Sequence, residues 1–142
     1  MRIMGLDLGD KTIGVAVSDP LGWTAQTVEV IRRGDSTAGE IKRLRELIDH
    51  YGVEMILLGL PKNMDGTVGE RGQKSIEYSD LMVRELGLPV ELWDERLSTV
   101  AAERVLLEAD MSRAKRKKNI DKMAAAIILQ GYLDAKGSKL PG

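Results

Sequence analysis

A mixed α/β sheet, its first strands antiparallel and helices on both of its faces, is the fold class this sequence predicts. Three observations carry that expectation. Two apolar runs, 2–8 and 12–18, are separated only by Gly9-Asp10-Lys11, which is hairpin spacing. The chain beyond them alternates strand-like runs with helical patterns, as parallel crossover units do. Near its end, Ile120, Met123, Ala124, Ile127, Ile128, Gly131 and Tyr132 recur at helical spacing and predict a core-facing stripe.

The elements follow in order. The hairpin strands are rich in Ile, Leu and Val, and 26–31 (Gln-Thr-Val-Glu-Val-Ile) reads as a third strand. Thr37 with Glu40 has the spacing of a capping box, and Ile41, Leu44, Leu47, Ile48 and Tyr51 then repeat helically up to Gly52. Residues 53–58 are a nearly unbroken apolar strand, the kind buried on both faces of a parallel sheet. A loop from Gly59 to Gly66 precedes a helix over about 71–86, stopped by Gly87. Pro89 introduces a strand at 90–93, and Ser98 or Thr99 can cap a helix running to about Ala109. The basic segment after it reads as a connection to the last helix. The expected order is βββαβαβαα in a single domain over 1–136, with 137–142 as a loose tail.

Composition narrows the function classes. A chain of 142 residues can bury a substantial core as one domain. The absence of cysteine excludes disulfides, thiolate metal sites and Cys nucleophiles. The single histidine, His50, falls at a helix end beside Tyr51 and Gly52, where an exposed imidazole is commonplace, so histidine-based catalysis is not expected. Asp7 interrupts the start where a signal peptide needs an apolar run, and no stretch approaches the roughly 20 apolar residues of a membrane span. A cytoplasmic protein is expected. A net charge of −1 provides no global attraction for a polyanion, but the cations are unevenly placed, with Arg113, Lys115, Arg116, Lys117 and Lys118 in one dense run.

Three acids stand out against this background. Asp7 lies inside an apolar strand and shares its face with Ile3 and Gly5. Glu95 directly follows the strand that ends near Trp93, and ligands of α/β proteins gather at the carboxyl ends of strands. Asp121 stands at the opening of the last helix, within about 20° of Ile128 and Tyr132 around its axis, and so points with the buried stripe. Each has an ordinary explanation as well: an internal ion pair for Asp7, a solvated Asp-Glu-Arg loop for Glu95, a favourable macrodipole contact for Asp121. Converging buried carboxylates, however, normally require a cation between them. All-oxygen ligand sets suit Mg²⁺ or Mn²⁺. Two such ions about 3.5–4 Å apart can hold the attacking water and leaving oxygen of a phosphodiester. Asp7, on a rigid strand, is the expected bridging ligand, with Glu95 and Asp121 completing the set.

Other residues fit a phosphate backbone. The turn at Gly9 with Lys11 can form a phosphate nest, or simply a tight turn needing a glycine at positive φ. Lys62 and Asn63 stand in the Gly59–Gly66 loop, Arg96 adjoins Glu95, and the cations at 113 and 115–118 precede Asp121. Phosphate contacts of this kind position a strand without reading its bases. With 4% aromatic residues and no Phe, a broad base-stacking platform is not expected. Trp93 reads as a packing residue, while Trp23, near Gly22, is the better candidate for touching substrate.

Five segments in order, Gly5-Leu-Asp-Leu-Gly, Ile13-Gly-Val-Ala-Val-Ser, Gly59-Leu-Pro-Lys-Asn-Met-Asp-Gly, Trp93-Asp-Glu-Arg-Leu-Ser-Thr and Ile120-Asp-Lys-Met-Ala-Ala, resemble the bacterial YqgF/RuvX family over nearly the whole chain. The resemblance implies a ribonuclease H-like fold. It also implies maturation of the 5′ end of 16S ribosomal RNA from its precursor, by a nuclease whose acids fall on Asp7, Glu95 and Asp121. Asp10 departs from the family, in which similar proteins often carry Thr, and this puts an extra acid beside the proposed phosphate turn. Three other functions compete with RNA cleavage. A Holliday junction resolvase acting on branched DNA would need a dimer matching the symmetry of its substrate. An ATP-binding module is suggested by the Asp-Leu-Gly hairpin of actin- and hexokinase-like folds, but those close two such domains over the nucleotide. A non-catalytic RNA-binding factor of ribosome assembly, acting on the small-subunit precursor, would not need the acids.

Overall fold

The computed structural model describes residues 1–34, 36–98 and 113–137, the last segment as backbone alone up to residue 122. Strands β1 (Arg2–Leu8), β2 (Thr12–Ser18) and β3 (Ala25–Arg32) are followed by helix α1 (Thr37–Tyr51), strand β4 (Val53–Leu60), helix α2 (Glu70–Leu86) and strand β5 (Val90–Asp94). A short 3-10 turn at Glu95–Leu97 and a long helix, α3 (Arg113–Gly137), complete the described chain. The sheet has five strands in the order β3-β2-β1-β4-β5. The β1–β2 and β2–β3 pairs are antiparallel, and β1–β4 and β4–β5 are parallel. This is the mixed sheet expected from sequence. The helix anticipated after Ser98 or Thr99 and the tail at 138–142 lie outside the described residues.

Alternation along the strands divides two cores. Met4, Leu6, Ile13, Val15, Ile56 and Leu58 face α1 and α2, where Leu44, Tyr78 and Met82 close the layer. Ile3, Ala16 and Leu57 face the other way, against Ala125, Ile128 and Leu129 of α3. Gly5 shares that second face, and the helix rides close to it: a Cβ at Gly5 would lie 2.8 Å from the Leu129 Cβ and 3.2 Å from the Ala125 carbonyl oxygen. Helices α1 and α2 each stop at a glycine in the left-handed region, Gly52 (φ 67°) and Gly87 (φ 70°), whose N–H groups donate to the Ile48 and Val83 carbonyls.

Four expectations are corrected. The cap of α1 is Ser36, whose side chain accepts from the Ala38 N–H, so Thr37 is already helical. Glu40 does not close a capping box; it is buried and accepts from Arg33 Nε (3.2 Å) and the Tyr78 hydroxyl (3.0 Å). The basic segment does not connect helices. Arg113 and positions 115–118 are part of α3, in keeping with the helix propensity of Arg, Ala and Lys and the lack of Gly or Pro among them. At least two turns of helix therefore precede Asp121, which does not open it, and a macrodipole contact confined to the first turn does not explain it. The buried stripe of α3 is also rotated from the expected one. Met123 is 52% exposed and Ile127 and Gly131 are half-buried, while Ala124, Ala125, Ile128, Leu129, Tyr132 and Leu133 are buried. Apolar residues surround this part of the helix, so its rotation follows from the fit of Ala125 and Leu129 over Gly5.

Gly39, inside α1, has nothing within 4 Å of a Cβ added to it. Gly39→Ala is expected to stabilise the fold by about 0.5–1 kcal/mol, read as a higher urea midpoint at unchanged slope.

Candidate active site

Asp7 is the next-to-last residue of β1 and sits between two positions without side chains. It pairs directly with Gly14 of β2. On the other side Leu6 pairs with Leu58, so the next step along the parallel ladder brings Asp7 beside Gly59, which itself pairs with Trp93 of β5. Adjacent strands lie roughly 4.8 Å apart, so this row of glycines leaves the sheet surface around one carboxylate unusually bare.

Glu95 uses that bareness. It is the first residue after β5, and its side chain folds back across the sheet. A Cβ at Gly59 would meet the Glu95 Cγ at 3.3 Å and the Ile128 Cδ1 of α3 at 3.0 Å. Asp7 (7% exposed) and Glu95 (5%) are thus both buried at the carboxyl ends of their strands, on the face that α3 covers. The 3-10 turn clamps Glu95 in place. The Asp94 carboxylate accepts from the Arg96 N–H (2.9 Å), while the Ser98 hydroxyl (2.7 Å) and N–H (3.0 Å) both donate to the Glu95 carbonyl.

Helix α3 approaches this end of the sheet with its earlier residues. Gln130 bonds the Ala25 N–H at the opposite end and Tyr132 bonds Glu91 in the row of Gly5, whereas Ile128 reaches Gly59. Ala125 lies over Gly5, and one further turn back, about 6 Å, is position 121; from Gly5 to Asp7 along β1 is about the same distance. The backbone thus carries position 121 toward the Asp7 end. The Asp121 side chain lies outside the described atoms, as do those of Arg113, Lys115, Arg116, Lys117 and Lys118. Among the described residues, no three acids or imidazoles form a group that could hold a metal ion. Asp7 and Glu95 supply oxygen donors from two elements.

Lys62 and Arg96 meet at Asp94. Arg96 forks onto that carboxylate through Nε (3.1 Å) and Nη2 (2.8 Å), and Lys62 Nζ lies 3.8 Å from it. Two cations are thereby gathered beside Glu95. Asn63 instead braces its own loop: its amide donates to the Thr67 hydroxyl, and its backbone bonds Thr67 and Gly66. Lys11 is exposed at the tip of the β1–β2 turn. Gly9 does not have the positive φ that one reading of the turn required. A Cβ there would instead sit 3.0 Å from the Thr12 carbonyl oxygen, so close approach within the turn is what favours glycine. Trp23 is 73% exposed but lies in the β2–β3 connection, at the opposite end of the sheet from Asp7. Trp93 packs edge-on against Tyr132, with ring centroids 5.2 Å apart. Sequence reasoning passed over Asp94, Gly14 and Gly59; the first was hidden in a sequence that looks like a solvated loop, and the glycines gain meaning only from register.

The Asp94 carboxyl is held below its ordinary value of 3.8, first by the Arg96 fork, then by the Arg96 N–H and the Lys62 ammonium. A carboxyl depressed in the folded state contributes stability that is complete above its unfolded value and disappears as pH falls through the folded one. Asp94→Asn should therefore lower the urea midpoint at pH 7, and the gap from wild type should narrow as pH falls below about 4 and close below the depressed folded value.

Comparison with known proteins identifies the family. A family model described as "RuvX: Holliday junction resolvase" matches residues 1–135. A protein from Desulforamulus reducens named "Putative pre-16S rRNA nuclease" is 63% identical over 135 residues, covering 95% of this chain and 98% of the relative. A protein of the same name from Symbiobacterium thermophilum is 60% identical over 141 residues, covering 99% and 97%. Among solved structures, T. thermophilus RuvC in complex with a Holliday junction substrate aligns with a TM-score of 0.57 at 17% identity, covering 96% of each chain, a likeness of fold. The fold is therefore ribonuclease H-like, and the chain belongs to the RuvX family.

Proposed function

We propose that this protein is a metal-dependent endonuclease that processes the 5′ end of precursor 16S ribosomal RNA. The observation that carries the reading is a pair of buried carboxylates at neighbouring strand ends: Asp7 near the end of β1, and Glu95 after β5, folded against Gly59 of β4. Two buried carboxylates at neighbouring strand ends supply the oxygen donors that a divalent cation takes. The names of the relatives support the RNA substrate.

In this reading Asp7, Glu95 and Asp121 would hold Mg²⁺ or Mn²⁺. Bound there, the metal supplies an acidified water and neutralises charge on the phosphate. The chain does the positioning. Lys11, Lys62 and Arg96, with the cations at 113 and 115–118 along α3, engage phosphates on either side of the cut. The Asp94 carboxylate holds Arg96 and Lys62 together beside Glu95. The enzyme works in the cytoplasm, on RNA within the small-subunit precursor.

The test is incubation of purified protein with precursor 16S RNA, with and without Mn²⁺, beside Asp7→Asn. Metal-dependent cleavage by the wild type alone supports the reading. Equal RNA binding by all forms, with no cleavage under any condition, would instead make it a non-catalytic assembly factor. The family description favours a second substrate, branched DNA. Cutting of a four-way junction by the same preparation, with precursor RNA left intact, would select that function.

A further inference from the structure

The β1–β2 turn is fastened from behind by groups on the opposite face of the sheet from Asp7 and Glu95. Arg33, between β3 and α1, grips both ends of the turn: its Nη1 donates to the Gly9 carbonyl (2.9 Å), and its backbone N–H donates to the Lys11 carbonyl (2.8 Å). Its guanidinium is itself anchored. Nε donates to Glu40 of α1 (3.2 Å), a carboxylate only 4% exposed, and the other oxygen of Glu40 accepts from the Tyr78 hydroxyl of α2 (3.0 Å). The guanidinium carbon also stands 5.5 Å from the centre of the Tyr78 ring. Burial, with Glu40 beside it, pushes the Tyr78 phenol well above its ordinary value, so the hydroxyl remains a donor throughout the neutral range. Glu40 of α1 and Tyr78 of α2 thus anchor the guanidinium that bonds a carbonyl two residues beyond Asp7.

A buried ion pair contributes little net stability compared with well-packed apolar groups, but it fixes geometry because each partner is costly to leave unpaired. We propose that Arg33, held by Glu40 and Tyr78, is a positioning residue for cleavage: it sets the Gly9–Lys11 turn, and through it the placement of Lys11 against the substrate phosphate beside Asp7. This rests on the nuclease reading for its kinetic consequence and on geometry alone for the brace.

Arg33→Met removes the guanidinium and keeps the backbone bond to Lys11. The side chain borders an open cleft of about 230 Å³ shared with Leu8, Lys74 and Tyr78, so a smaller apolar group can be accommodated. Tyr78→Phe deletes only the hydroxyl and serves as the milder variant. Amide hydrogen exchange by NMR reads the brace directly. In Arg33→Met, exchange at Gly9, whose N–H bonds the Thr12 carbonyl, should accelerate about tenfold or more, with Gly22 in the distant β2–β3 turn changing by less than about twofold. Tyr78→Phe should show the same local pattern at smaller amplitude. With precursor RNA, Arg33→Met should lose about tenfold in kcat with KM nearly unchanged, and adding it to Lys11→Ala should cost less than about twofold further, because both act through one turn. Uniform acceleration of exchange across the protein overturns the brace. Fully additive losses with Lys11→Ala, or wild-type kcat in Arg33→Met, overturn the positioning role. If wild-type protein leaves RNA uncut while the local exchange pattern appears, the nuclease reading is overturned, together with the kinetic half of this proposal.

Discussion

Asp7→Asn should fold normally and fail to cut precursor RNA, with cleavage reduced about 10³-fold or more. A loss of that size corresponds to roughly 4 kcal/mol of transition-state stabilisation, within the range expected when a metal ligand is neutralised. The substitution is nearly isosteric, and the residue is 7% exposed beside Gly14 of the paired strand. Because the substitution keeps size and shape, the variant should melt within a few degrees of wild type. Cleavage on denaturing gels and a thermal scan on the same preparation separate the two effects. A stable variant with full activity would remove Asp7 from the chemistry and with it the proposed centre.

Gly5→Ala is expected to do the converse, damaging the fold and the site together. The added Cβ would approach the Leu129 Cβ to 2.8 Å and the Ala125 carbonyl oxygen to 3.2 Å. Neither is the free end of a flexible side chain, so α3 as a whole must move away from β1. Overpacking of this kind costs about 2 kcal/mol, a fall in Tm of roughly 6–10 °C for a chain of this size. The same displacement carries position 121 away from Asp7, so cleavage should drop about tenfold even at temperatures where the variant is fully folded. Wild-type Tm for Gly5→Ala would show that the helix does not bear on the sheet there. The contrast with Gly39→Ala, where the new methyl group meets nothing, makes the pair informative: one glycine serves close packing, and the other is a replaceable surface position.

Much of the architecture was legible because the relevant signals are local. The hairpin at 2–8 and 12–18, the third strand, the apolar β4 run and the glycine stops at Gly52 and Gly87 all follow from alternation, composition and turn chemistry. The oddity of Asp7 was legible for the same reason: it breaks an apolar strand, and the structure finds it buried. Glu95 was harder, since Asp-Glu-Arg after a strand reads equally well as a loop. The structure finds it folded back over Gly59.

The misreadings share a cause. Glu40 has the spacing of a capping box with Thr37, yet its carboxylate turns inward to partners at Arg33 and Tyr78, one of them 38 residues away. The apolar run of α3 contains more candidate core residues than one face can hold, and periodicity alone favoured Met123 over Ala125. Trp23 seemed suited to substrate by its type, but strand direction carries it to the far end of the sheet.

Residue order along the chain was enough to establish the strands, most helices, the family and the acids worth testing, because these depend on neighbours a few positions apart. Which glycines flank Asp7, which side of α3 meets the sheet, and which cations gather at Asp94 depended on contacts between distant segments. Those are settled by steric fit and by the need to pair buried charge, and neither is visible until the strands are in register.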